Sequence, residues 1–316
     1  MTEQQRWNAD LIPDLTGRVL VVTGANSGLG LATARELAAH GGHVVLAVRD
    51  EDRGRAAADG IRRAHPGALL AVRRLDLADL GSVREFADGL RAAHPRLDLL
   101  VNNAGVMAPP YRVSAQGHEL QFAVNHLGHF ALTGLLLDLL AAGRDPRVVT
   151  VSSLEHRKGR LDSAAFDALE GGGDGGRGYA PMGAYRRAKF ANAVFGRELQ
   201  QRLAAAGSPV RSLLAHPGYT ATNLQKETPV ALVRLVFGRL LGPLLAQRPE
   251  SGALPLLYAA TAPDAEGGAF YGPDGPGELR GAPRRVALAP AAADPGTGRR
   301  LWELSERLTG VAYARS

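Results

Sequence analysis

A tyrosine and a lysine four residues apart form the pair in this sequence that is best suited to proton transfer. Tyr185 and Lys189 lie in a run of helix-forming residues, and a spacing of four places both side chains on one face of a helix. An unperturbed tyrosine has a pKa of about 10, which is too high for efficient acid–base chemistry at neutral pH. Since a nearby cation lowers the pKa of such an acid, the spacing predicts that Lys189 activates Tyr185. A chance pairing of the two residues on one helix is the alternative.

Three glycines in eight residues form a second candidate site, in the run from Thr23 to Gly30. An apolar, β-branched run precedes it, and a helix-like pattern follows from Leu31 to His40. Glycines let a backbone approach a phosphate closely, and a helix start directs free N–H groups at the anion. The spacing is neither G-x-G-x-x-G nor a P-loop. Packing of the helix against the strand is therefore the alternative explanation.

The elements that must position these residues alternate between strand and helix along the chain. Short apolar runs predict strands at 18–22, 43–48, 69–75, 97–101, 147–151, 210–216 and 268–271. Helical patterns occupy 31–40, 51–65, 82–94, 119–142, 184–203, 252–262 and 299–308. The alternation predicts an α/β fold, a doubly wound parallel sheet of about seven strands flanked by helices. Ligands of such sheets collect at the carboxyl ends of the strands, where the polar motifs of this chain fall.

The composition of the chain argues against several classes of function. The 316 residues are 45% apolar, carry a net charge of +6 and contain no cysteine. The absence of cysteine removes disulfides and thiolate metal sites, and we expect no metal site and a cytoplasmic protein. The sequence contains no long apolar run without charges, so it predicts no transmembrane segment. The arginines are scattered among acidic residues without aromatic interleaving, so we expect no nucleic-acid partner.

Six motifs in a fixed order resemble the short-chain dehydrogenase/reductase family. They are Thr23-Gly24-x-x-x-Gly28-x-Gly30, Asn102-Asn103-Ala104-Gly105, Asn125, Ser152-Ser153, Tyr185-x-x-x-Lys189 and Pro217-Gly218-x-x-x-Thr222. The resemblance covers about residues 16 to 275, and the run Val151–His156 with a long insertion before Tyr185 is similar to the retinol dehydrogenase and WW-domain oxidoreductase branch. It implies a single Rossmann-type domain at 17–316, after an N-terminal extension at 1–16.

The resemblance implies a catalytic tetrad of Asn125, Ser153, Tyr185 and Lys189. The Ser153 hydroxyl would donate to a carbonyl oxygen, Tyr185 would transfer the proton, and Lys189 would lower the pKa of Tyr185 and hold the nicotinamide ribose. Ser152 is expected to turn inward. Asn125 would hold a water molecule against Lys189. The alternative is that Asn125 has only a structural task, as a polar residue that kinks a helix.

Cofactor preference depends on the end of the second predicted strand. Val48 stands where relatives that prefer NAD usually carry Asp, and the adjacent Arg49 favours the 2′-phosphate of NADP(H). Asp50 would favour NAD(H) if it folded back onto the ribose. The cofactor-binding residues implied by the resemblance are Gly24, Asn26, Ser27, Gly28, Leu29, Gly30, Arg49, Asp76, Leu77, Asn103, Ala104, Gly105, Tyr185, Lys189, Pro217, Gly218, Thr220 and Thr222. For Asp76 the alternative is an acid in the N-cap region of a helix.

The substrate is expected to be a bulky, fairly apolar alcohol or ketone. Its lining residues would be Val106, Met107, Leu154, His156, Tyr179, Tyr219 and a lid at about 223–250. For His156, a place in a surface loop is the favoured alternative. Apolar faces on the helices at 119–142 and 185–203 are typical either of a homodimer or homotetramer surface or of the core.

These features predict an NADP(H)-dependent oxidoreductase that interconverts a carbonyl and an alcohol. An epimerase or dehydratase with a tightly held cofactor is an alternative with the same fold. A dinucleotide-sensing regulatory protein is a further alternative, which the complete tetrad disfavours.

Overall fold

The computed structural model describes residues 6–171, 176–220 and 247–313. The strands within these residues are β1 Val19–Thr23, β2 His43–Val48, β3 Leu70–Arg74, β4 Leu99–Asn102, β5 Arg147–Val151, β6 Arg211–Ala215, β7 Phe270–Pro273 and β8 Pro283–Arg285. They form one sheet in the order β3-β2-β1-β4-β5-β6-β7-β8. The first seven strands run parallel, and β8 pairs antiparallel to β7. The predicted doubly wound sheet is confirmed, with a short eighth strand added at its edge.

Helices cover both faces of the sheet. In the described parts of the chain they are α1 Gly28–Ala39, α2 Glu51–Ala64, α3 Leu80–Ala93, α4 Leu120–Phe122, α5 Gly128–Leu135, α6 Leu137–Ala141, α7 Ser163–Glu170, α8 Pro181–Ala205, α9 Pro249–Thr261 and α10 Pro295–Thr309. One apolar core joins α1, α2 and α9 to the sheet. A second core joins α3, α5, α8 and α10 to the opposite face. The inner strands β1, β2, β4 and β5 are almost wholly buried, which matches their largely apolar sequences. None of these helices is long and apolar enough to cross a bilayer.

The single helix predicted at 119–142 is wrong in detail. Helix α4 passes into a π-helix over Ala123–Leu127, then α5, and a break at Leu136 separates α5 from α6. Apolar periodicity does not distinguish a π-turn from regular helix, because one extra residue leaves most apolar side chains on the buried face. The π-turn contains Asn125, which is consistent with π-turns clustering at functional sites.

The apolar faces of the helices at 119–142 and 185–203 lie in the core of this chain. Helix α10 packs across both, and the Trp302 ring lies 5.1 Å from that of Phe130 and 6.1 Å from that of Phe195. The core alternative is therefore correct for these faces. A homodimer or homotetramer stays a prediction.

Several predicted features lie outside the described residues. Thr222 and nearly all of the lid at 223–250 belong to this group. The proposed division of the chain at residue 16 also stays a prediction. Trp7, within that extension, packs edge-on against Tyr258 of α9, with 5.3 Å between ring centres.

Candidate active site

The predicted motifs converge at the carboxyl edge of the sheet. The glycine run leaves β1, Asn103 follows β4, Ser152 follows β5 and Pro217 lies two residues beyond β6. These four strands are neighbours in the sheet. Parallel strands bring their carboxyl ends to one edge, so residues nearly 200 positions apart meet there.

The glycine run packs tightly against the segment that follows β4. Gly24 has a φ of +67°, and a Cβ there would lie 3.0 Å from the Cα of Ala104. A Cβ on Gly30 would overlap the Gly24 carbonyl oxygen and lie 2.5 Å from Asn103 Nδ2. The packing alternative therefore accounts for Gly24 and Gly30.

The start of α1 nevertheless keeps the features of an anion site. Its N-cap residue, Ser27, makes no side-chain cap, whereas Asp50 caps α2 and Asp79 caps α3. The first N–H groups of α1 are thus left for another acceptor, at the positive end of the helix dipole. Gly28 has a φ of +55° at this turn, and Asn26 and Ser27 are half-buried beside it. This geometry fits a pyrophosphate.

A threonine hydroxyl fixes the Asn103-Ala104-Gly105 segment. The backbone N–H groups of Asn103 and Ala104 both donate to Thr23 Oγ1 at 2.9 Å, and Asn103 Nδ2 donates to the Thr23 carbonyl at 2.8 Å. A Cβ on Gly105 would lie only 3.7 Å from Lys189 Nζ. The segment thus joins the glycine run to the catalytic candidates.

The two serines after β5 point in different directions. Ser152 is buried, and its hydroxyl donates to the Lys189 carbonyl oxygen at 2.8 Å, so the expected inward orientation is confirmed. Ser153 is half-buried and accepts from the Glu155 N–H at 3.3 Å, at the start of a 3-10 helix over Leu154–Lys158. Its hydroxyl lies close enough to the Tyr185 phenol to lower the pKa of that group.

Helix α8 carries Tyr185 and Lys189 into this edge. Their relative exposures are 8% and 5%, and Lys189 Nζ lies 6.0 Å from the centre of the Tyr185 ring. The ammonium donates to the Val151 carbonyl oxygen at 3.0 Å. The structure therefore brings Ser153, Tyr185 and Lys189 together, as a proton-transfer site requires.

The pKa values of this pair differ from the simple expectation. Burial raises the pKa of Tyr185 to about 12, the Ser153 hydrogen bond opposes this rise, and the charge of Glu155 adds to it. Burial lowers the pKa of Lys189 to about 8. In the protein without cofactor, the predicted effect of Lys189 does not bring the pKa of Tyr185 towards neutral pH, because desolvation of the phenolate dominates.

Asn125 shows the contacts expected of a structural residue. It is fully buried in the π-turn, where its Oδ1 accepts from the Val106 N–H at 2.8 Å and its Nδ2 donates to the Val106 carbonyl at 3.0 Å. The backbone carbonyl of Asn125 accepts from His129 Nδ1 at 3.1 Å. Its place beside Gly105 fits the tetrad, while its catalytic role stays a prediction.

The end of β2 carries the cofactor-selecting candidates. Arg49 is exposed directly after the strand. Asp50 Oδ1 accepts from the Arg53 N–H at 3.1 Å and caps α2. The Asp50 carboxylate is therefore engaged by the helix rather than free to fold back onto a ribose.

Asp76 and Leu77 follow β3 nearby. Asp76 Oδ1 accepts from the Ala78 N–H at 3.0 Å, so its side chain orders the turn before α3, close to the N-cap alternative. Leu77 is buried against Gly128, where a Cβ would lie 2.9 Å from the Leu77 Cβ. Their contact with an adenine stays a prediction.

The segment after β6 forms the opposite side of the edge. Gly218 has a φ of +66°, and a Cβ there would overlap the Leu279 carbonyl oxygen. The Thr220 hydroxyl donates to the Pro217 carbonyl at 2.8 Å. Gly218 is thus required by the close approach of a distant loop, which its sequence motif does not reveal.

His156 departs from both expectations made for it. It is fully buried, its Nδ1 donates to the Ser153 carbonyl at 2.6 Å, and its Nε2 accepts from the Ala289 N–H at 3.2 Å. It neither lines a substrate site through a free ring nitrogen nor lies in a surface loop. The C-terminal segment that covers it is 133 residues away in the chain, so the local sequence could not reveal this burial.

The other substrate-lining candidates surround the same edge. Val106, Met107, Leu154 and Tyr219 are half-buried. The Tyr179 hydroxyl donates to Glu119 Oε1 and accepts from Gln121 Nε2, both at 2.7 Å, so its polar end is engaged within the protein. These contacts leave only the ring of Tyr179 to face an apolar substrate.

Two residues that make contacts in the site, Gln121 and Glu278, were not among those predicted from the sequence. Gln121 is fully buried, and its Oε1 accepts from the Ala108 N–H at 2.8 Å, which fixes the loop after Val106. Glu278 bonds residues on both sides of the site. For Gln121, the only sign in the sequence was its place among apolar neighbours. For Glu278, nothing in the sequence pointed to a role in the site.

Comparison with known proteins identifies the family. Residues 18–168 match the family model of short chain dehydrogenases. The chain is 40% identical to retinol dehydrogenase 13 of Homo sapiens over 300 residues, which cover 94% of this chain and 86% of that protein. It is 41% identical to polyprenol dehydrogenase of Mus musculus over 306 residues, which cover 95% of this chain and 86% of that protein.

Solved structures agree. An uncharacterized protein from Mycobacterium paratuberculosis aligns with a TM-score of 0.79 and 42% identity, over 98% of this chain and 99% of that chain. A short chain dehydrogenase from Escherichia coli complexed with NADPH aligns with a TM-score of 0.62 and 26% identity, over 81% and 97%. The chain is therefore an NAD(P)-dependent oxidoreductase that belongs to the short-chain dehydrogenase/reductase family, in its retinol dehydrogenase branch.

Proposed function

We propose that this protein uses NADP(H) to interconvert a carbonyl and a primary or secondary alcohol on a bulky, apolar substrate. The observation that carries the proposal is the meeting of Ser153, Tyr185 and Lys189 beside Gly105. A hydroxyl, a phenol and a cation at one end of a dinucleotide fold match carbonyl reduction and alcohol oxidation.

Each residue has a separate task in the reduction. The Ser153 hydroxyl donates to the carbonyl oxygen as negative charge develops there, and the Tyr185 phenol delivers the proton. Lys189, whose pKa burial lowers to about 8, is mostly protonated at pH 7 and stabilises the phenolate that remains. When bound, NADP(H) would supply the hydride, and the positive charge of its oxidised ring would oppose the rise that burial causes in the pKa of Tyr185.

The cofactor would lie across the carboxyl edge. The uncapped start of α1 would hold the pyrophosphate, and Lys189 and Tyr185 the nicotinamide ribose. The capping of α2 by Asp50 supports NADP(H) over NAD(H), since it leaves Arg49 as the charged neighbour of the ribose. The complex of the Escherichia coli relative with NADPH is consistent with this choice.

The class of substrate follows from the relatives and from the half-buried lining. Retinol and polyprenol, named in the two relatives, are alcohols with long hydrocarbon bodies. Val106, Met107 and Leu154 supply apolar surface on the same side. A cytoplasmic location and self-association stay predictions.

Oxidation of NADPH during incubation with retinal, medium-chain aldehydes and cyclic ketones tests the proposal. The Tyr185→Phe variant should lose at least about 100-fold in kcat, because it lacks the proton donor. Tyr258→Phe is the matched control, since that hydroxyl donates to Asp264 Oδ2 at the surface, outside the proposed site. Full turnover by Tyr185→Phe would refute the mechanism, and product formation without net NADPH oxidation would indicate the epimerase or dehydratase alternative.

A further inference from the structure

A carboxylate from the C-terminal part of the chain bridges the two sides of the active site. Glu278 lies between β7 and β8, and its side chain is only 14% exposed. Arg157 Nη2 donates to both of its oxygens at 2.8 Å. His216 Nε2 donates to Glu278 Oε2 at 3.1 Å.

The two partners of Glu278 belong to the two segments that border the reacting groups. Arg157 is in the 3-10 helix that Ser153 caps, four residues after that serine. His216 directly precedes Pro217 and Gly218, and its Nδ1 accepts from the Gly218 N–H at 3.2 Å. One carboxylate therefore links the Ser153 segment to the Pro217–Gly218 turn, beyond the end of the β5–β6 pairing.

The backbone of the same loop makes a second connection. The Leu279 carbonyl accepts from the Tyr219 N–H at 2.8 Å, and it fills the space that a Cβ on Gly218 would need. The loop thus engages the Pro217–Gly218 turn through both a side chain and a main-chain carbonyl.

The conformation of Glu278 itself is unfavourable. Its φ is +57°, in the left-handed region where a glutamate is strained and a glycine is not. Such strain persists where surrounding contacts hold it, and it is often connected with function. A loop that served stability alone would gain from glycine at this position.

The charges in the bridge are well defined. His216 is buried, and burial lowers its pKa to about 4, so it is neutral at pH 7 and carries its proton on Nε2. Burial alone would raise the pKa of Glu278, but hydrogen bonds from Arg157 overcome this and lower it. The bridge is therefore one ion pair with Arg157 and one neutral hydrogen bond from His216.

We propose that Glu278 is a positioning residue that holds Ser153 at the correct distance from the Pro217–Gly218 turn, through Arg157 on one side and His216 on the other. The inference rests on the proposed function, in which Ser153 donates to the reacting carbonyl, and on the predicted contact of Pro217 and Gly218 with the cofactor. Catalytic rates are sensitive to shifts of about 1 Å in such groups. Loss of the carboxylate would thus lower kcat through the Ser153 segment and raise the KM for NADPH through the turn.

Glu278→Gln and Glu278→Gly test the bridge, with Glu266→Gln as the control. Glu266 pairs with Arg285 on the surface, where both side chains are 67% exposed. We expect kcat to fall at least about tenfold in both Glu278 variants, with a rise in the KM for NADPH that is absent from the Glu266 control. The glycine variant separates positioning from stability, because it removes the carboxylate while relieving the backbone strain.

Hydrogen–deuterium exchange of the protein without cofactor provides a readout that does not need turnover. The N–H groups of Gly218 and Tyr219 are held by His216 and Leu279. Peptides covering 154–158 and 216–219 should therefore exchange faster in Glu278→Gln and at the wild-type rate in Glu266→Gln. Unchanged exchange, or an unchanged kcat in both Glu278 variants, would overturn the proposal. A wild type inactive on every carbonyl would refute the proposed function, and the exchange rates would then decide the bridge alone.

Discussion

Replacing Lys189 by methionine should stabilise the protein while it abolishes activity. Burial lowers the pKa of Lys189 from its ordinary 10.5 to about 8. At about 1.4 kcal/mol for each pKa unit, holding the charged lysine costs the folded state about 3 kcal/mol at pH 7. Methionine has a similar length and carries no charge, so it removes this cost.

The lost hydrogen bond offsets part of the gain. Lys189 Nζ donates to the Val151 carbonyl, but Asn192 Nδ2 also donates to that oxygen at 3.2 Å. The carbonyl therefore keeps a partner, and the loss costs about 1 kcal/mol. A net stabilisation of about 2 kcal/mol follows. It should raise Tm by about 4 °C, near the lower end of the range expected for a large domain.

The dependence on pH distinguishes this origin from a general packing effect. Below about pH 8 the lysine is protonated in the folded and unfolded states, so the advantage of the variant is complete. Between pH 8 and 10.5 the folded lysine is neutral while the unfolded one is still charged, and the wild type recovers. Above about pH 10.5 both forms are neutral, and the advantage should disappear.

Urea denaturation at pH 7, 9 and 10.5 measures the difference in the free energy of unfolding. Lys158→Met is the matched control, because that side chain is 64% exposed and its removal should change stability by less than about 0.5 kcal/mol. A Lys189→Met variant less stable than the wild type at pH 7 would refute the reasoning. An advantage that stays constant up to pH 10.5 would refute it as well.

Three further predictions concern helix α2 and Arg49, which lies two residues before it. Arg49→Ser should raise the KM for NADPH by about 10- to 100-fold and that for NADH by less than about threefold, since only NADPH carries the 2′-phosphate; equal effects on both, in steady-state kinetics, would argue against a phosphate contact. Gly54→Ala should destabilise by about 1 to 3 kcal/mol, because its Cβ would lie 2.6 Å from Val48 Cγ2. Gly60→Ala, whose nearest neighbour would be an arginine end at 3.7 Å, should stabilise by about 0.5 to 1 kcal/mol in chemical denaturation.

Local patterns and the family resemblance together predicted the parts of the site that lie at strand ends. The resemblance implied that Ser152 turns inward and Ser153 faces the site, and alternation along the extended chain after β5 explains why the two differ. The resemblance also supplied Asn103, which lies beside the glycine run because both leave neighbouring parallel strands. The fold class, which apolar periodicity determines well, explains why these strand ends meet.

Contacts between distant segments were beyond this reasoning. Ala289 satisfies His156, and Glu278 joins Arg157 to His216, yet none of these partners lies in a shared pattern. Strand β8 was missed for a similar reason. Its residues, Pro283–Arg285, are mostly exposed and polar, so they lack the apolar signal of the inner strands.

The pKa of Tyr185 shows a third kind of limit. The sequence spacing identified Lys189 as the neighbour of Tyr185. Whether its charge or desolvation dominates the pKa of Tyr185 depends on how deeply the two side chains are buried. The phenol is almost fully buried, and only the folded protein reveals that burial dominates. A motif thus identifies the acid without determining its pKa.

Burying a charged Lys189 destabilises the folded protein, and the neutral histidines near this lysine show what that burial could serve. Burial lowers the pKa of His126 to about 3 and that of His129 to about 4, so both are uncharged at pH 7. Burial is the only cause that lowers the pKa of Lys189, and no carboxylate in the described parts of the chain offsets it. An unpaired ammonium in a poorly solvated site acts on the Tyr185 phenolate with little screening. A lysine paired with a carboxylate would destabilise the folded state less. The carboxylate would, however, cancel the electric field that stabilises the phenolate.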